Sequence, residues 1–173
     1  TDLYWTEHDT DTSFFGPYAT ASIEKETQGV YISNEFSLRD DVIISVGARR
    51  ERAHYDFKQR DLTGFLGPLN DDTTETENAY SLGVTWLYSG DSSLFARANR
   101  SFRFPLTDEF VVYDYFNGQQ LLNPDLKPQT GKHYEVGIRH YFTKNIQANL
   151  TLFRAEIKDE IFFNPLTFEN TNY

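Results

Sequence analysis

The chain contains no cysteine, which excludes disulfide bonds, thiolate metal sites and cysteine nucleophiles. Cations are scarce as well, because 16 Lys and Arg stand against 26 Asp and Glu, for a net charge of -10. Nucleic-acid affinity depends on clustered cations, so no nucleic-acid partner is expected. No apolar run approaches the ~18 residues of a membrane-spanning helix. No secretory signal opens the chain, so an exported protein would be represented here by a mature piece or an internal segment.

Catalytic signatures are also missing. The four histidines, His8, His54, His133 and His140, show no metal-ligand spacing, and the sequence contains neither a nucleophile with a matching base nor a phosphate-binding loop. Acidic groups such as Asp71, Asp72 and Glu75 fall in a predicted loop and are interpreted as solvated charge. We therefore expect no enzymatic activity, no cofactor and no metal ion.

Aromatic residues and period-2 alternation dominate what is present. The chain has 15 Phe and 11 Tyr, which favour strands and are typical of the aromatic girdles of membrane β-barrels. The clearest alternation runs from Tyr134 to Phe142, directly after a loop in which Pro124 and Pro128 restrict the backbone. A membrane β-barrel also lacks long apolar runs, because its lipid-facing residues alternate with polar ones.

The same alternation predicts about seven strands of ~9–14 residues. Short turns are predicted at residues 39–41, 89–92 and 143–145, and long polar loops at residues 9–26, 57–76 and 103–131. The last loop includes Leu106 to Phe110, which is predicted to form one helical turn with Thr107 as its cap. Short turns at one end and long loops at the other are typical of outer-membrane barrels, whereas nothing requires this in a β-sandwich.

Several short motifs occur in a characteristic order. In chain order they are Gly29–Asp40 with Val46–Arg49, Ser101-Phe102-Arg103-Phe104-Pro105 with Glu109-Phe110, Asn123-Pro124-Asp125-Leu126-Lys127-Pro128 with a Tyr-Glu-x-Gly strand, Leu152–Ile161, and finally Glu169-Asn170. This series resembles the late barrel region of the TonB-dependent outer-membrane receptors. The motif residues are interpreted as structural: Phe102, Arg103, Pro105, Asn123, Pro124, Leu126, Lys127, Pro128, Glu135 and Gly137.

The resemblance implies an all-β fold, an antiparallel up-and-down meander that forms part of a transmembrane β-barrel in the bacterial outer membrane. It further implies import of a ferric siderophore or a similarly scarce nutrient, driven by a TonB-type energy-transducing protein through a plug domain. Residues 1–173 would be a partial barrel domain, without the plug and the remaining strands. Because open edges are not tolerated in lipid, the chain is expected to be an incomplete piece of the barrel. An isolated piece could pair or swap its edges with another copy, which leaves the oligomeric state open.

Ligand contacts are predicted at Arg100, Arg103, Tyr113, Tyr115 and Phe116. The arginines lie near strand ends, where they could meet an anionic chelate, and the aromatic residues cluster in a predicted long loop. Two alternatives remain open. In one, the loop aromatics form a local mini-core. In the other, the arginines pair with acids of neighbouring strands, namely Glu35, Glu51, Glu135 and Glu156.

Two other fold and function hypotheses fit the alternation. A small eight-stranded outer-membrane barrel would act as an anchor or adhesion module. A soluble β-sandwich would bind a partner such as carbohydrate and would seal its apolar residues against a second sheet. The membrane hypothesis requires that one set of side chains share an outer wall facing lipid: Val46, Val84, Ile138 and Leu150.

Overall fold

The computed structural model describes residues 2–15, 19–62, 68–114 and 119–173, and within them the side chains of residues 20–60, 62, 68–112 and 122–173. The main sheet has seven strands. In spatial order they are β1 (Asp2–Phe15), β2 (Ala19–Arg39), β3 (Val42–Asp61), β4 (Leu69–Ser89), β5 (Ser92–Arg103), β8 (Gln129–Thr143) and β9 (Ile146–Lys158). A 3-10 helix and two small hairpins complete the fold: η1 (Thr107–Phe110), β6 (Val111–Asp114) with β7 (Gln119–Leu122), and β10 (Ile161–Asn164) with β11 (Glu169–Asn172).

Every neighbouring pair in the main sheet is antiparallel, and the strands follow chain order except for the inserted β6–β7 hairpin. This confirms the predicted all-β up-and-down meander. Within the described ranges, β1 and β9 are the two edges and do not pair with each other, so the sheet is open. The open sheet does not fit a sealed eight-stranded barrel.

The two ends of the sheet differ in their connections. At one end, two-residue turns join successive strands at Asp40 and Asp41, at Gly90 and Asp91, and at Lys144 and Asn145. Gly90 has a φ of +53°, a conformation that glycine adopts without steric cost. At the other end, residues 104–128 connect β5 to β8. We refer to these as the turn end and the loop end.

Two predicted loops are wrong in extent. The predicted loop over residues 9–26 lies largely in strand, because β1 continues to Phe15 and β2 begins at Ala19. The predicted loop over residues 57–76 is likewise shortened by β3 and β4. Both stretches are largely polar and contain several threonines, and they form paired hairpins whose ladders satisfy the backbone hydrogen bonds.

The predicted helical turn is present, but its predicted cap is wrong. Thr107 is the first residue of η1, and Leu106 occupies the cap position. Leucine has no side-chain acceptor, so the turn is held instead by the carboxylate of Glu109, which accepts a hydrogen bond from the Leu106 backbone N–H at 2.8 Å.

The buried core lies at the loop end. It consists of Ile23, Ala53, Tyr55, Phe57, Phe104, Phe110 and Leu126. Part of this core comes from β2 and β3, and the rest comes from residues that follow β5, so the long connection folds back over one face of the sheet. Within the described residues, the structure contains no helix that is long and apolar enough to cross a membrane.

Candidate functional site

One face of the main sheet carries a continuous apolar surface, which we call the belt. Directly paired residues share a face of the sheet, and the register places even-numbered residues of β2 to β9 together. Val46, Val84 and Leu150 are 38%, 42% and 61% exposed, so no second layer seals them. Large members of the belt are Ile32, Phe36, Ile44, Val46, Leu82, Val84, Trp86, Leu94, Val136, Ile138, Leu150 and Leu152.

The loop-end edge of the belt is inclined to the strands. Toward the loop end, the first polar even-numbered residue beyond the belt is Arg50 on β3, Asn78 on β4, Arg100 on β5, Lys132 on β8 and Arg154 on β9. The register shows that this edge moves by two cross-strand rows, or four residues, from β3 to β9. Four residues rise about 13 Å and four strand spacings cover about 19 Å. The incline is therefore about 35°, within the range of strand tilt in outer-membrane barrels.

Aromatic residues lie at both edges of the belt. Trp86 and Tyr88 are near the turn end, where the Tyr88 hydroxyl lies 2.7 Å from Nδ1 of His140 and the two rings are stacked. Tyr80 and Tyr134 occupy the belt near the loop end. From Tyr80 to Tyr88 the belt covers nine residues of β4, which is close to the ~9–11 residues of a tilted membrane-spanning strand.

The opposite face is polar and contains a depression. Small side chains at Ser33, Gly47 and Ser81 leave a cavity of about 320 Å³, with Arg49 and Asn99 also lining it. The Arg49 guanidinium pairs with Glu51 and lies over the ring of Phe102, 5.6 Å from its centre. This face thus offers charged and hydrogen-bonding groups around a space large enough for a side chain or a small ligand.

The connection between β5 and β8 packs against the polar-face side of β2 and β3 at the loop end. Phe110 is fully buried and meets the rings of Tyr55 and Phe57 edge-on, with both centroid distances at 4.9 Å. Such aromatic contacts add to the stabilisation from apolar burial. The segment is therefore anchored to the sheet and does not extend freely into solvent.

A polar contact reinforces this anchor. Lys25 Nζ and the Tyr55 hydroxyl both donate to the carbonyl oxygen of Pro105, at 3.0 and 2.7 Å. Burial lowers the pKa of Lys25, although the nearby carboxylates of Glu51 and Glu109 oppose that shift. Burial also raises the pKa of Tyr55, so its hydroxyl remains a donor at physiological pH.

Arg103 provides a second anchor. Its guanidinium donates to both carboxylate oxygens of Glu109, at 2.9 and 2.7 Å. The same carboxylate caps η1 through the Leu106 N–H. Arg103 therefore joins the end of β5 to the helical turn, a structural role that fits its place in the Phe-Arg-x-Pro motif.

The Asn-Pro-x-Leu-Lys-Pro motif forms the contact with the C-terminal hairpin. The Asn172 side chain accepts from the Lys127 N–H at 2.8 Å and donates to the Lys127 carbonyl at 3.0 Å. Asn123 donates to the carbonyl of Asn170 at 3.3 Å, and the Asn170 side chain donates to the carbonyl of Glu109 at 2.9 Å. The motif thus connects η1, the entry to β8 and the β10–β11 hairpin.

Gly137 has a steric role in the sheet. It pairs with Phe95 on β5, and a Cβ at this position would overlap the Phe95 ring and lie 2.9 Å from the carbonyl oxygen of Leu150. Glycine is needed because backbone and ring approach closely here. The other motif residue of this strand, Glu135, lies directly opposite Arg97 on β5.

The five predicted ligand contacts are not brought into one described cluster. Arg100 lies where β4 and β5 separate; there it donates to the backbone carbonyl of Asn78 and pairs with Glu77 at 2.7 Å. Arg103 is bound to Glu109. The side chain of Tyr113, on β6, and the whole of Tyr115 and Phe116 lie outside the described residues.

The alternative pairing of cations with acids is observed, partly with other partners. Arg154 and Glu156 pair at 2.6 Å, on the same strand. Glu51 forms an ion pair with Arg49, whereas Arg100 pairs with Glu77 and Arg103 pairs with Glu109. These last two acids come from β4 and η1, so their proximity to the arginines depends on how the loop end folds.

Sequence reasoning did not single out Lys25 or Tyr55. Lys25 fell in a predicted polar loop and Tyr55 at the frayed end of a predicted strand, yet both lie beside Pro105. One signal was available in the sequence. If the odd and even alternation of β2 and β3 is continued past the predicted strand ends, Ile23, Lys25 and Tyr55 fall on the same face of the sheet. Among the described side chains, no group of histidines and acids has the proximity of a metal site.

Comparison with known proteins gives a family and a fold. A family model described as TonB dependent receptor-like, beta-barrel, matches residues 1–173. No curated protein matches by sequence. The crystal structure of the ferric-catecholate import receptor Fiu from K12 E. coli, in its closed form, aligns with a TM-score of 0.59 at 18% identity, over 90% of this chain and 24% of that one.

A second solved structure gives the same result. The ferric yersiniabactin uptake receptor FyuA from Yersinia pestis aligns with a TM-score of 0.58 at 19% identity, over 92% of this chain and 25% of that one. This chain therefore spans about a quarter of the length of each receptor. At these identities the likeness concerns the fold alone.

Proposed function

This chain belongs to the family of TonB-dependent receptor-like β-barrels, and we propose that it forms part of the wall of an outer-membrane receptor that imports a ferric siderophore or a similarly scarce nutrient. Members of the family are transporters of the outer membrane and not enzymes. The observation that carries the proposal is the inclined belt on a single-layer sheet whose other face is polar.

That geometry supports the proposed position in the membrane. A soluble sheet would cover its apolar face, because exposing a large apolar patch to water is costly. The belt is instead open, has the height of a spanning strand, and is bordered by aromatic residues at both edges. We place lipid against the belt and the barrel lumen against the polar face. The edges of β1 and β9 would then pair with further strands of the same barrel.

The domain proposal is that residues 1–173 are a partial barrel domain. Both solved receptors are about four times as long as the region they share with this chain. The plug, and the TonB-type inner-membrane protein that acts through it, would contact the protein outside the residues described above. The depression beside Ser33, Gly47 and Ser81 on the polar face is where we place contact with the plug or with passing ligand.

For ligand recognition we propose the five predicted contacts in two roles. Tyr113, Tyr115 and Phe116 would supply a stacking surface between β6 and β7. Arg100 and Arg103 would supply charge to an anionic chelate. Each arginine already holds a carboxylate, so a ligand would have to compete with Glu77 or Glu109 for the guanidinium.

Uptake of radiolabelled ferric chelates tests the transport proposal. Receptor-deficient cells would express the full-length protein in strains with and without a TonB-type transducer, and would be given ferric catecholate, ferric phenolate, ferric hydroxamate or cobalamin. We expect transducer-dependent uptake of at least one compound. If the protein reaches the outer membrane and transports none of them, the ligand assignment is wrong. Uptake without the transducer would contradict the proposed energy source.

Variants of the same cells test the ligand contacts. Tyr115→Ala combined with Phe116→Ala should raise the substrate concentration for half-maximal uptake. Leu166→Ala is the matched control, because Leu166 is a large apolar residue that is 89% exposed in the C-terminal hairpin. Equal effects of the two changes would contradict a specific role for the aromatic cluster.

A further inference from the structure

The connection between β5 and β8 crosses the polar face instead of rising along its own strands. We call its described residues, 104–112 and 122–128, the strap. The chain leaves β5 at Arg103, and two residues later the Pro105 carbonyl accepts a hydrogen bond from Lys25 on β2 at 3.0 Å. β2 lies three strand spacings, ~14 Å, from β5, whereas two residues extend at most ~7 Å. The strap therefore begins to cross the polar face directly where β5 ends.

The strap reaches elements from both ends of the meander. The backbone of η1 lies beside β1 and β2 on one side and beside β11 on the other. β1 is one edge of the main sheet, and β11 follows β9, which is the other edge. These edges are six strand spacings apart, ~29 Å along the sheet, whereas a four-residue 3-10 turn rises only ~8 Å. The loop-end rim and the C-terminal hairpin therefore curve around the strap, which spans them as a crossbar.

Apolar contacts hold the strap against β2 and β3. Phe110 is fully buried between the rings of Tyr55 and Phe57. Phe104 and Leu126 are buried in the same core, and they come from the two arms of the strap, one before and one after the β6–β7 hairpin. Both arms of the strap are thus packed into one core on the wall.

Polar contacts hold the strap against the C-terminal hairpin. The side chain of Asn172 bonds both backbone groups of Lys127, at 2.8 and 3.0 Å, and the side chain of Asn170 donates to the carbonyl of Glu109 at 2.9 Å. Segments that open during function are drawn from regions with few buried contacts and low local stability. The strap has the opposite properties, because each of its arms is attached on two sides.

We propose that the strap is a stationary crossbar over the mouth of the lumen, and that it sets an upper size limit for solutes that pass beneath it. The proposal rests on the proposed function, in which the polar face lines the lumen. A crossbar between β2 and the C-terminal hairpin divides the mouth into openings narrower than the lumen itself. Because the strap does not move aside, a bulky solute is excluded whatever its charge.

Two positions report on either side of the strap. Ser101 lies on the polar face of β5, two residues before Arg103, and is exposed. Leu106 lies on the strap itself and is also exposed. A reagent that arrives from the loop end reaches a thiol at Leu106 without passing the strap, whereas it reaches a thiol at Ser101 only beneath the strap.

Labelling of single cysteines in the full-length protein tests the proposal. Intact cells would express Ser101→Cys or Leu106→Cys, with any other cysteine replaced by serine. Maleimide reagents that carry polyethylene glycol chains of increasing length are added from outside, where the long loops of an outer-membrane barrel lie. We expect the labelling rate of Ser101→Cys to drop sharply at one chain length, and that of Leu106→Cys to decline gradually.

Variants of the anchors should move this step in the Ser101→Cys protein. Phe110→Ala removes the aromatic anchor. Tyr55→Phe combined with Lys25→Met removes both side-chain donors to the strap and keeps the apolar volume, so this variant gives the result if Phe110→Ala does not fold. Phe163→Ala is the matched control, because Phe163 is 53% exposed in the C-terminal hairpin. We expect both anchor variants to shift the step to longer reagents and the control to leave it in place.

Four results would overturn the crossbar. They are an equal length dependence at the two cysteines, no labelling of Ser101→Cys by the shortest reagent, a step that neither anchor variant moves, and an equal shift in Phe163→Ala. Loss of the step when ferric catecholate is added would show a strap that moves, and would also contradict the proposal. Chelate uptake is measured in the same cells. An absent step with intact uptake leaves the proposed function standing, whereas a clear step without uptake of any chelate leaves the crossbar standing.

Discussion

Replacing Val84 by arginine tests the orientation of the sheet directly. On β4 the belt runs from Tyr80 to Tyr88, and Val84 is its central residue. Its row continues through Ile44 on one side and Ala96 on the other, so the new guanidinium would be surrounded by apolar side chains. If the belt faces lipid, this position lies near the bilayer midplane.

The expected cost follows from that depth. Arginine on the lipid face of a β-barrel destabilises it by about 2–4 kcal/mol at the midplane and by about 0–1 kcal/mol near the interfaces. Val84→Arg should therefore cost about 2–4 kcal/mol, and Asn78→Arg, at the loop-end edge of the belt, at most about 1 kcal/mol. Ser81→Arg is the control on the polar face, where Ser81 is exposed and the change should have little effect.

The measurement is the free energy of unfolding of the full-length protein in lipid vesicles, from reversible denaturant titrations followed by tryptophan fluorescence. Where refolding is incomplete, the yield of folded protein ranks the same three variants. The reasoning is refuted if Val84→Arg is as stable as the unaltered protein, or if Ser81→Arg is the most damaging change. A cost that is independent of depth would contradict the midplane assignment.

Three further predictions concern the anchors and the charged groups. Arg103→Ala should destabilise the full-length protein by about 1–3 kcal/mol. Arg39→Ala breaks an exposed ion pair and should cost at most about 1 kcal/mol. Equal losses of stability in denaturant titrations would contradict the anchoring role of Arg103. Gly137→Ala should lower the free energy of unfolding by about 1–3 kcal/mol. Gly131→Ala should lower it less, because the atoms nearest to Gly131 are the ends of flexible side chains. If Gly131→Ala had the lower melting temperature of the two, this prediction would be wrong. Burial raises the pKa of Glu75, so its ionised form opposes folding, and Glu75→Gln should stabilise the protein at pH 7. This gain should shrink as pH falls through the raised folded-state value and vanish below the ordinary pKa near 4.5; a gain independent of pH would argue against it.

The strands of the belt could be predicted from the sequence because their pattern is local. A residue that faces an apolar medium alternates with one that faces a polar medium, so period 2 is visible in any single strand such as the one around Val84 or Ile138. The short turns were equally readable, since two-residue connections leave little choice of partner. The order of the family motifs gave the fold, and the match over residues 1–173 confirms it.

The strand ends of the hairpins at the loop end could not be predicted in this way. Beyond the belt no apolar medium imposes period 2, so the sequence around Thr10 and Thr74 has no alternation that marks it as strand. Their conformation comes from ladders with partners such as Lys25 and His54. Pairing of this kind depends on the neighbouring strand and not on the residue's own pattern.

By itself the sequence determined which side chains alternate, where the chain turns sharply and which family it belongs to, since these properties reside in neighbouring residues. Only the tertiary structure decided that Phe104, Phe110 and Leu126 of the long connection pack over the polar face, and that Arg103 is held by Glu109. The physical reason is distance along the chain. Lys25 reaches Pro105 across 80 residues, and such contacts are set by strand order, register and tilt.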